Sequence, residues 1–300
     1  MREPFEICPT DLPSLLKKLY RFRRAARRGG IARLFGRKRK AALLAALTRD
    51  WPGGYTLTDQ GDLAFVPAPL DTQGERLLFY GFGAPAAAVS FAPKSGVVID
   101  VGANLGEWSV PLAKAVGPDG RVLCCEPNPA VAEALRTTLR INNLTQAAVL
   151  SVALFAHDGE GHLVVDARDT GLSRISSSRV GIPVSLRRLD SIVVEHAIER
   201  LDFLKIDVEG CERQVFAGAF ETLRRFRPAI VFESGHEAMG DRAAIGKALD
   251  DLSYDIVAVL HDYGALACDV DDYLATSGAC RGPAARNILA LPRQHSAAAG

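Results

Sequence analysis

The sequence predicts an α/β protein organised around a mainly parallel sheet with helices on both faces, and three observations predict it. From residue 96 onward, short apolar runs alternate with segments of helical periodicity, the order that builds βαβ units. Runs such as Val97-Val-Ile-Asp-Val and Asp202-Phe-Leu-Lys-Ile-Asp are almost continuously apolar rather than alternating, as strands covered on both faces require. Composition agrees: of 300 residues, 48% are hydrophobic and 24% charged, which excludes a mostly disordered, collagenous or coiled-coil chain.

The elements follow in order. Leu15, Leu19, Phe22 and Ala26 fall at helical spacing with Lys17, Lys18, Arg21, Arg24 and Arg28 interleaved, which predicts an amphipathic basic helix ending near Gly29-Gly30. A second helix is expected over residues 31–47, closed by Trp51-Pro-Gly-Gly. Residues 55–95 are less periodic, with strand-like pieces at 63–66 and 77–80 between Pro and Gly breaks. The regular series then predicts strands at 97–101, 121–126 and 148–153, separated by helices at 107–116 and 130–141. Strands at 162–165 and 183–186, a helix at 190–200, a buried strand at 202–207 and a helix at 212–225 come next. A strand at 228–233, a helix at 242–252 and strands at 254–260 and 286–291 close the series. The expected organisation is a basic helical extension (1–54), lead-in strands packing on the core (55–95), the α/β domain (96–294) and a flexible tail (295–300).

Charge divides along the same lines. Residues 1–40 hold 13 Lys/Arg against Glu3, Glu6 and Asp11, a net of +10, whereas the remaining 260 residues carry a net of −9. The N-terminus shows no signal-peptide core, and no stretch approaches the roughly 18 apolar residues of a membrane span. The six cysteines form no pair of CxxC motifs, which argues against a zinc site. These features predict a cytoplasmic protein with reduced thiols. For the basic arm, packing on the body is the plain expectation; residues 12–40 also suit peripheral contact with an anionic membrane, at the inner membrane face. With Tyr20, Phe22 and Phe35 as its only aromatics from residue 12 to 40, and no recognised module, no nucleic-acid partner is expected.

The strongest local signal is Asp100-Val-Gly102-Ala-Asn104-Leu-Gly106 between a predicted strand and helix. Glycines let the backbone approach a ligand, and the helix N-terminus presents free N–H groups and partial positive charge. Twenty residues beyond Gly106, at the end of the next strand, stands Glu126, placed to accept from both hydroxyls of a ribose. A dinucleotide needs G-x-G-x-x-G, which this chain lacks. Asp100 would instead suit the cationic sulfonium and amino group of S-adenosylmethionine (SAM), whose carboxylate a helix N-terminus can hold. The second signal is Leu204-Lys-Ile-Asp207-Val-Glu209-Gly-Cys-Glu212, an apolar strand running into closely spaced acids.

At these residues the chain resembles the FkbM-type family of SAM-dependent methyltransferases. The resemblance rests on Val98-Ile-Asp-Val-Gly-Ala-Asn-Leu-Gly-Glu-Trp-Ser, Glu126-Pro-Asn-Pro, Asn142-Asn-Leu, the Leu-Asp at Asp190, the segment from Asp202 to Glu212 and Pro228-Ala-Ile-Val-Phe-Glu. It covers roughly residues 75–292, with Pro111 inside the first helix as a departure. It implies a class I methyltransferase fold, Rossmann-like and seven-stranded with an antiparallel last strand, and methyl transfer to a hydroxyl of a glycan or secondary metabolite. Carried over by motif, Asp100, Gly102, Asn104 and Gly106 would hold the methionine part and Glu126 the ribose. Ala153 and Leu154 would lie near adenine by position.

A hydroxyl must lose its proton as it attacks, so a base is expected. Asp207 is the first candidate, Glu209 the second and His236 the third. His261 and Asp262 suit either the acceptor pocket or a surface turn. Asp207 and Glu209 lack a third ligand in the sequence, so no metal site is expected. Residues 167–182 and 261–285 are the expected lids, with Arg168, Arg174 and Arg179 as candidate contacts to an acidic acceptor. The alternatives are an NAD(P)-linked oxidoreductase and a non-catalytic module docking to an anionic surface.

Overall fold

The computed structural model describes residues 51, 53–58, 61–166, 169–176, 179–235, 237–261, 264–280 and 286–293. The two basic helices expected before residue 48, and the tail from 295, lie outside these residues. Strands β1 (Gly54–Leu57) and β2 (Leu63–Val66) form an antiparallel ribbon. Helix α1 (Thr72–Tyr80) follows, where residues 77–80 were expected to be strand. Two local features favour the helix: Asp71 caps it by accepting from the Gly74 amide, and Leu77 and Leu78 are both fully buried. A strand would send those two neighbours to opposite faces. A short helix, α2 (Ala86–Val89), leads into the body.

The body alternates as β3 (Val97–Val101), α3 (Ser109–Val116), β4 (Arg121–Cys125), α4 (Pro129–Ile141) and β5 (Ala147–Leu150). Helix α3 starts two residues later than the sequence predicts. This puts Pro111 in the first turn, where its missing N–H costs nothing. The expected single strand over 148–153 is two. The chain leaves the main sheet at Ser151, and β6 (Val152–Leu154) joins β7 (Gly159–Val164), β8 (Arg174–Ser176) and β9 (Ile182–Arg187) in a separate sheet of order β6-β9-β7-β8.

Helix α5 (Leu189–Glu195) stops short of Arg200, because the chain turns through a left-handed residue at Ala197. After β10 (Phe203–Ile206), the expected helix over 212–225 is broken at Ala219 into α6 (Glu212–Gly218) and α7 (Phe220–Phe226). The series ends with β11 (Ala229–Ser234), α8 (Met239–Asp251), β12 (Tyr254–His261), β13 (Gly264–Ala267), α9 (Val270–Ala275) and β14 (Arg286–Pro292).

The main sheet has the order β13-β12-β14-β11-β10-β3-β4-β5. Strands β11, β10, β3, β4 and β5 run parallel, and β14 is inserted antiparallel between β11 and β12. The antiparallel last strand is where the sequence places it. The sheet has eight strands rather than seven, because β13 folds back on β12 as an edge hairpin. Side-chain alternation splits the core in two. Val98, Phe203, Val231 and Leu289 pack on one face, while Ile99, Leu204, Ile230 and Ile288 pack on the other. The β1–β2 ribbon is tied to α4, with the Leu63 and Phe65 amides donating to Asn142 and Thr138 at 3.0 Å each. In such sheets ligands bind beyond the carboxyl ends of the strands, where the strand order reverses. Here that point lies between β3 and β10.

Candidate active site

A cleft of about 570 Å³ opens at that point. One wall is the β3 and β4 turns (Gly102, Asn104, Glu126), and the other is the β10 turn (Asp207, Glu209, Cys211). The small sheet and its approach supply a third side through Ala153, Leu154, Thr170, Ser173 and Ile175.

Gly102 sits where the first two walls meet. Its φ is +79°, and a Cβ there would lie 1.7 Å from the Asp207 carbonyl oxygen. No residue with a side chain fits that approach. The Gly102 and Ala103 amides both donate to the Cys125 carbonyl, at 2.9 and 3.0 Å. Asn104 is also left-handed, at φ 44°, and its amide donates to Glu126 Oε2 at 2.9 Å. The Asn128 amide donates to Glu126 Oε1 at 2.8 Å. Burial nevertheless dominates at Glu126 and pushes its carboxyl up to about 7.

Asp100 and Gly106 are not on the cleft wall. Strand alternation turns Asp100 away from Val101, which does line the cleft. The Asp100 carboxylate lies fully buried beneath the turn, accepting from the Ser109 hydroxyl at 2.5 Å. Burial raises it to about 6. Gly106 packs against Leu135, where a Cβ would stand 2.7 Å from Cδ1. Both residues thus shape the turn from behind it.

On the opposite wall, Asp207 follows directly on β10, its amide donating to the Val101 carbonyl at 2.9 Å. The strand register explains its main neighbour. Phe203 to Ile206 pair with Ala229 to Phe232, so the next step sets Asp207 beside Glu233. Desolvation and the Asp207 charge push Glu233 up to about 9. Glu209 has a left-handed backbone at φ 52°, and burial followed by the charge of Asp207 raises it to about 7. Glu107, just before α3, is likewise raised to about 7, first by burial and then by Asp207. Glu212 serves the turn, accepting from the Val208 and Gly210 amides at 3.2 and 3.3 Å.

Oxygens of Asp207, Glu209 and Glu233 all lie within 4.8 Å of one another, close enough to share a proton or a cation. The sequence supplied only the first two as candidates. It could not show Glu233, which depends on strand adjacency, nor the role of Lys205. Lys205 is fully buried in β10, with Nζ 3.2 Å from Asp207 Oδ2.

The roof is held by α1. Asp71 accepts from the Thr170 amide and hydroxyl, and Gln73 donates to Asp169 at 2.8 Å. This segment falls within the lid expected from the sequence. Arg174 and Arg179 are exposed, and neither lines the cleft. His236, Arg168 and Asp262 lie outside the described residues. His261 ends β12 and is not among the cleft residues.

Residues 100–266 match the sequence profile of the methyltransferase FkbM domain. The chain belongs to the FkbM methyltransferase family. It is 26% identical over 198 residues to methyltransferase sdnD of Sordaria araneosa, covering 55% of this chain and 75% of that one. It is 28% identical over 181 residues to the 2-O-methyltransferase NoeI of Sinorhizobium fredii, covering 54% and 73%. The crystal structure of methyltransferase FkbM from Methylobacillus flagellatus aligns over 65% of this chain and 43% of its own, at 16% identity and a TM-score of 0.39. As an FkbM methyltransferase, the chain is SAM-dependent. The cleft fits that cofactor: Asn104 Oδ1 and Ser173 Oγ line it, buried and without hydrogen-bond partners, and a nucleoside would satisfy such atoms. Among the described residues no helix is long and apolar enough to cross a membrane.

Proposed function

We propose that this FkbM methyltransferase methylates a hydroxyl oxygen of a glycan or secondary metabolite, with Asp207 as the base. The observation that carries the reading is the position of Asp207: on the cleft wall, against the Gly102 turn, with its carboxylate held by Lys205. The 2-O-methyltransferase named among its relatives supports oxygen as the acceptor atom. Gly102, Asn104 and Glu126 would hold SAM, with Glu126 at the ribose and Ala153 and Leu154 beside the adenine. Bound SAM supplies an electrophilic methyl group on a sulfonium.

The chain's own contribution is placement and proton removal. An alkyl hydroxyl is a poor nucleophile until its proton leaves. The Asp207 carboxylate accepts that proton as the oxygen attacks, and holding the two reactants in line supplies much of the remaining rate. Glu209 sits on a left-handed backbone at the same wall, a strain of about 1–2 kcal/mol. From there it would accept from a neighbouring acceptor hydroxyl. The test is Asp207→Asn, assayed with tritium-methyl SAM against a panel of glycans and hydroxylated metabolites. SAM affinity should stay within a few-fold of the original protein, and turnover should fall about 100- to 10,000-fold. Full turnover would remove Asp207 from the mechanism.

A further inference from the structure

Lys205 is the one fully buried lysine among the described residues. An isolated ammonium in such a place costs several kcal/mol, so its surroundings show what holds it. Nζ donates to the Ile206 carbonyl at 3.1 Å and to Asp207 Oδ2 at 3.2 Å. It also lies 4.8 Å from the centre of the Trp108 ring, a cation–π distance. Parallel pairing sets Lys205 level with Asp100 on β3 and with Val231 on β11. Its charge acts on Asp100 from that side and on Glu233 from the other. One ammonium therefore contacts Asp207 and acts by its charge on two further carboxyl groups, on the strands to either side. Two of the three, Asp207 and Glu233, belong to the group that includes Glu209 at the cleft.

We propose that Lys205 is a positioning residue for methyl transfer: its ammonium pins the Asp207 carboxylate toward the cleft and supplies, from within the chain, the positive charge that the Asp207–Glu209–Glu233 group would otherwise draw from a bound divalent ion. The geometry ties this lysine to the site: besides the Ile206 carbonyl, its ammonium contacts the Asp207 side chain at the reacting wall and the ring of Trp108, the residue preceding α3. The consequence for catalysis rests on the reading of Asp207 as the base. The charge compensation does not.

The experiment uses Mn²⁺ as the probe, titrated into the full chain and read by electron paramagnetic resonance, with SAM binding by calorimetry as the check of folding. The original protein should show no Mn²⁺ uptake that Glu233→Gln removes. Lys205→Met should gain Mn²⁺ affinity at least about tenfold, and adding Glu233→Gln should abolish the gain. Lys205→Arg, which keeps the charge, should gain none and should retain methyl transfer. Glu233-dependent Mn²⁺ uptake by the original protein overturns the proposal, as does a Lys205→Met protein that binds SAM without the gain. If Lys205→Met loses SAM binding, the original protein and Lys205→Arg decide: uptake in either overturns the idea, and its absence in both supports it. Asp207→Asn with full methyl transfer would end the base reading while leaving the Mn²⁺ result standing, so the two failures are distinguishable.

Discussion

The two walls of the cleft are made from the same kind of junction, a parallel strand running into a glycine-containing turn, yet they handle charge in opposite ways. On the β3–β4 wall, Glu126 is met by backbone donors: the Asn104 and Asn128 amides reach one oxygen each. On the β10–β11 wall, Asp207, Glu209 and Glu233 meet chiefly one another, with Lys205 beneath them. The first wall thus fixes its carboxylate by backbone donors and leaves Asn104 Oδ1 buried without a partner. The second is a set of crowded carboxyl groups, of which Glu209 and Glu233 are raised by burial and by the neighbouring Asp207 charge. One fold thus sets two walls of different electrostatic character at the ends of two adjacent strands, β3 and β10.

Gly102→Ala attacks the contact between the walls and should have the largest effect. Its Cβ would meet the Asp207 carbonyl at 1.7 Å, so one turn must move away from the other. We expect a loss of about 3 kcal/mol or more in unfolding free energy and loss of measurable SAM binding by calorimetry. Near-normal binding would mean that the walls are less tightly joined than the structure shows.

A pH series on the ligand-free protein sharpens the comparison. Glu126 holds its proton up to about 7 in the fold, against 4.5 ordinarily. The folded state therefore binds more protons than the unfolded chain between those values, and stability falls as pH rises through that window. Glu107, also raised to about 7, acts in the same direction. Urea melts across the window should show the decline, and Glu126→Gln should reduce it by about 2–3 kcal/mol. An unchanged slope in that variant would show that Glu126 is ionised without penalty.

The smallest effect is expected at the roof. Asp71→Ala removes both the cap of α1 and the acceptor for Thr170. It should cost about 1 kcal/mol in stability and speed SAM dissociation in stopped-flow measurements, without altering the two walls.

The β3–β4 wall of the cleft was legible because its parts are local. Gly102, Asn104 and Glu126 follow from one turn and the end of the next strand, and Ala153 and Leu154 reach the cleft at the position expected. Asp100 is not among the cleft residues, because strand alternation turns it into the core, under Ser109. The departure of β6 from the main sheet was not legible, since an apolar run does not reveal where its hydrogen-bond partner changes. The piece at 77–80 is helical because Asp71 caps the segment and Leu77 and Leu78 are both buried, neither of which an apolar run reveals.

The sequence by itself determined the family, the strand–turn–helix order and the acids at the ends of β4 and β10. These are encoded by residue type at short range, where glycine dihedral freedom and apolar periodicity act. Only the tertiary structure decided that Glu233 joins Asp207 and that Lys205 compensates them. The first comes from lateral strand register: Asp207 and Glu233 are 26 positions apart in the chain, and the parallel pairing of β10 with β11 sets them side by side.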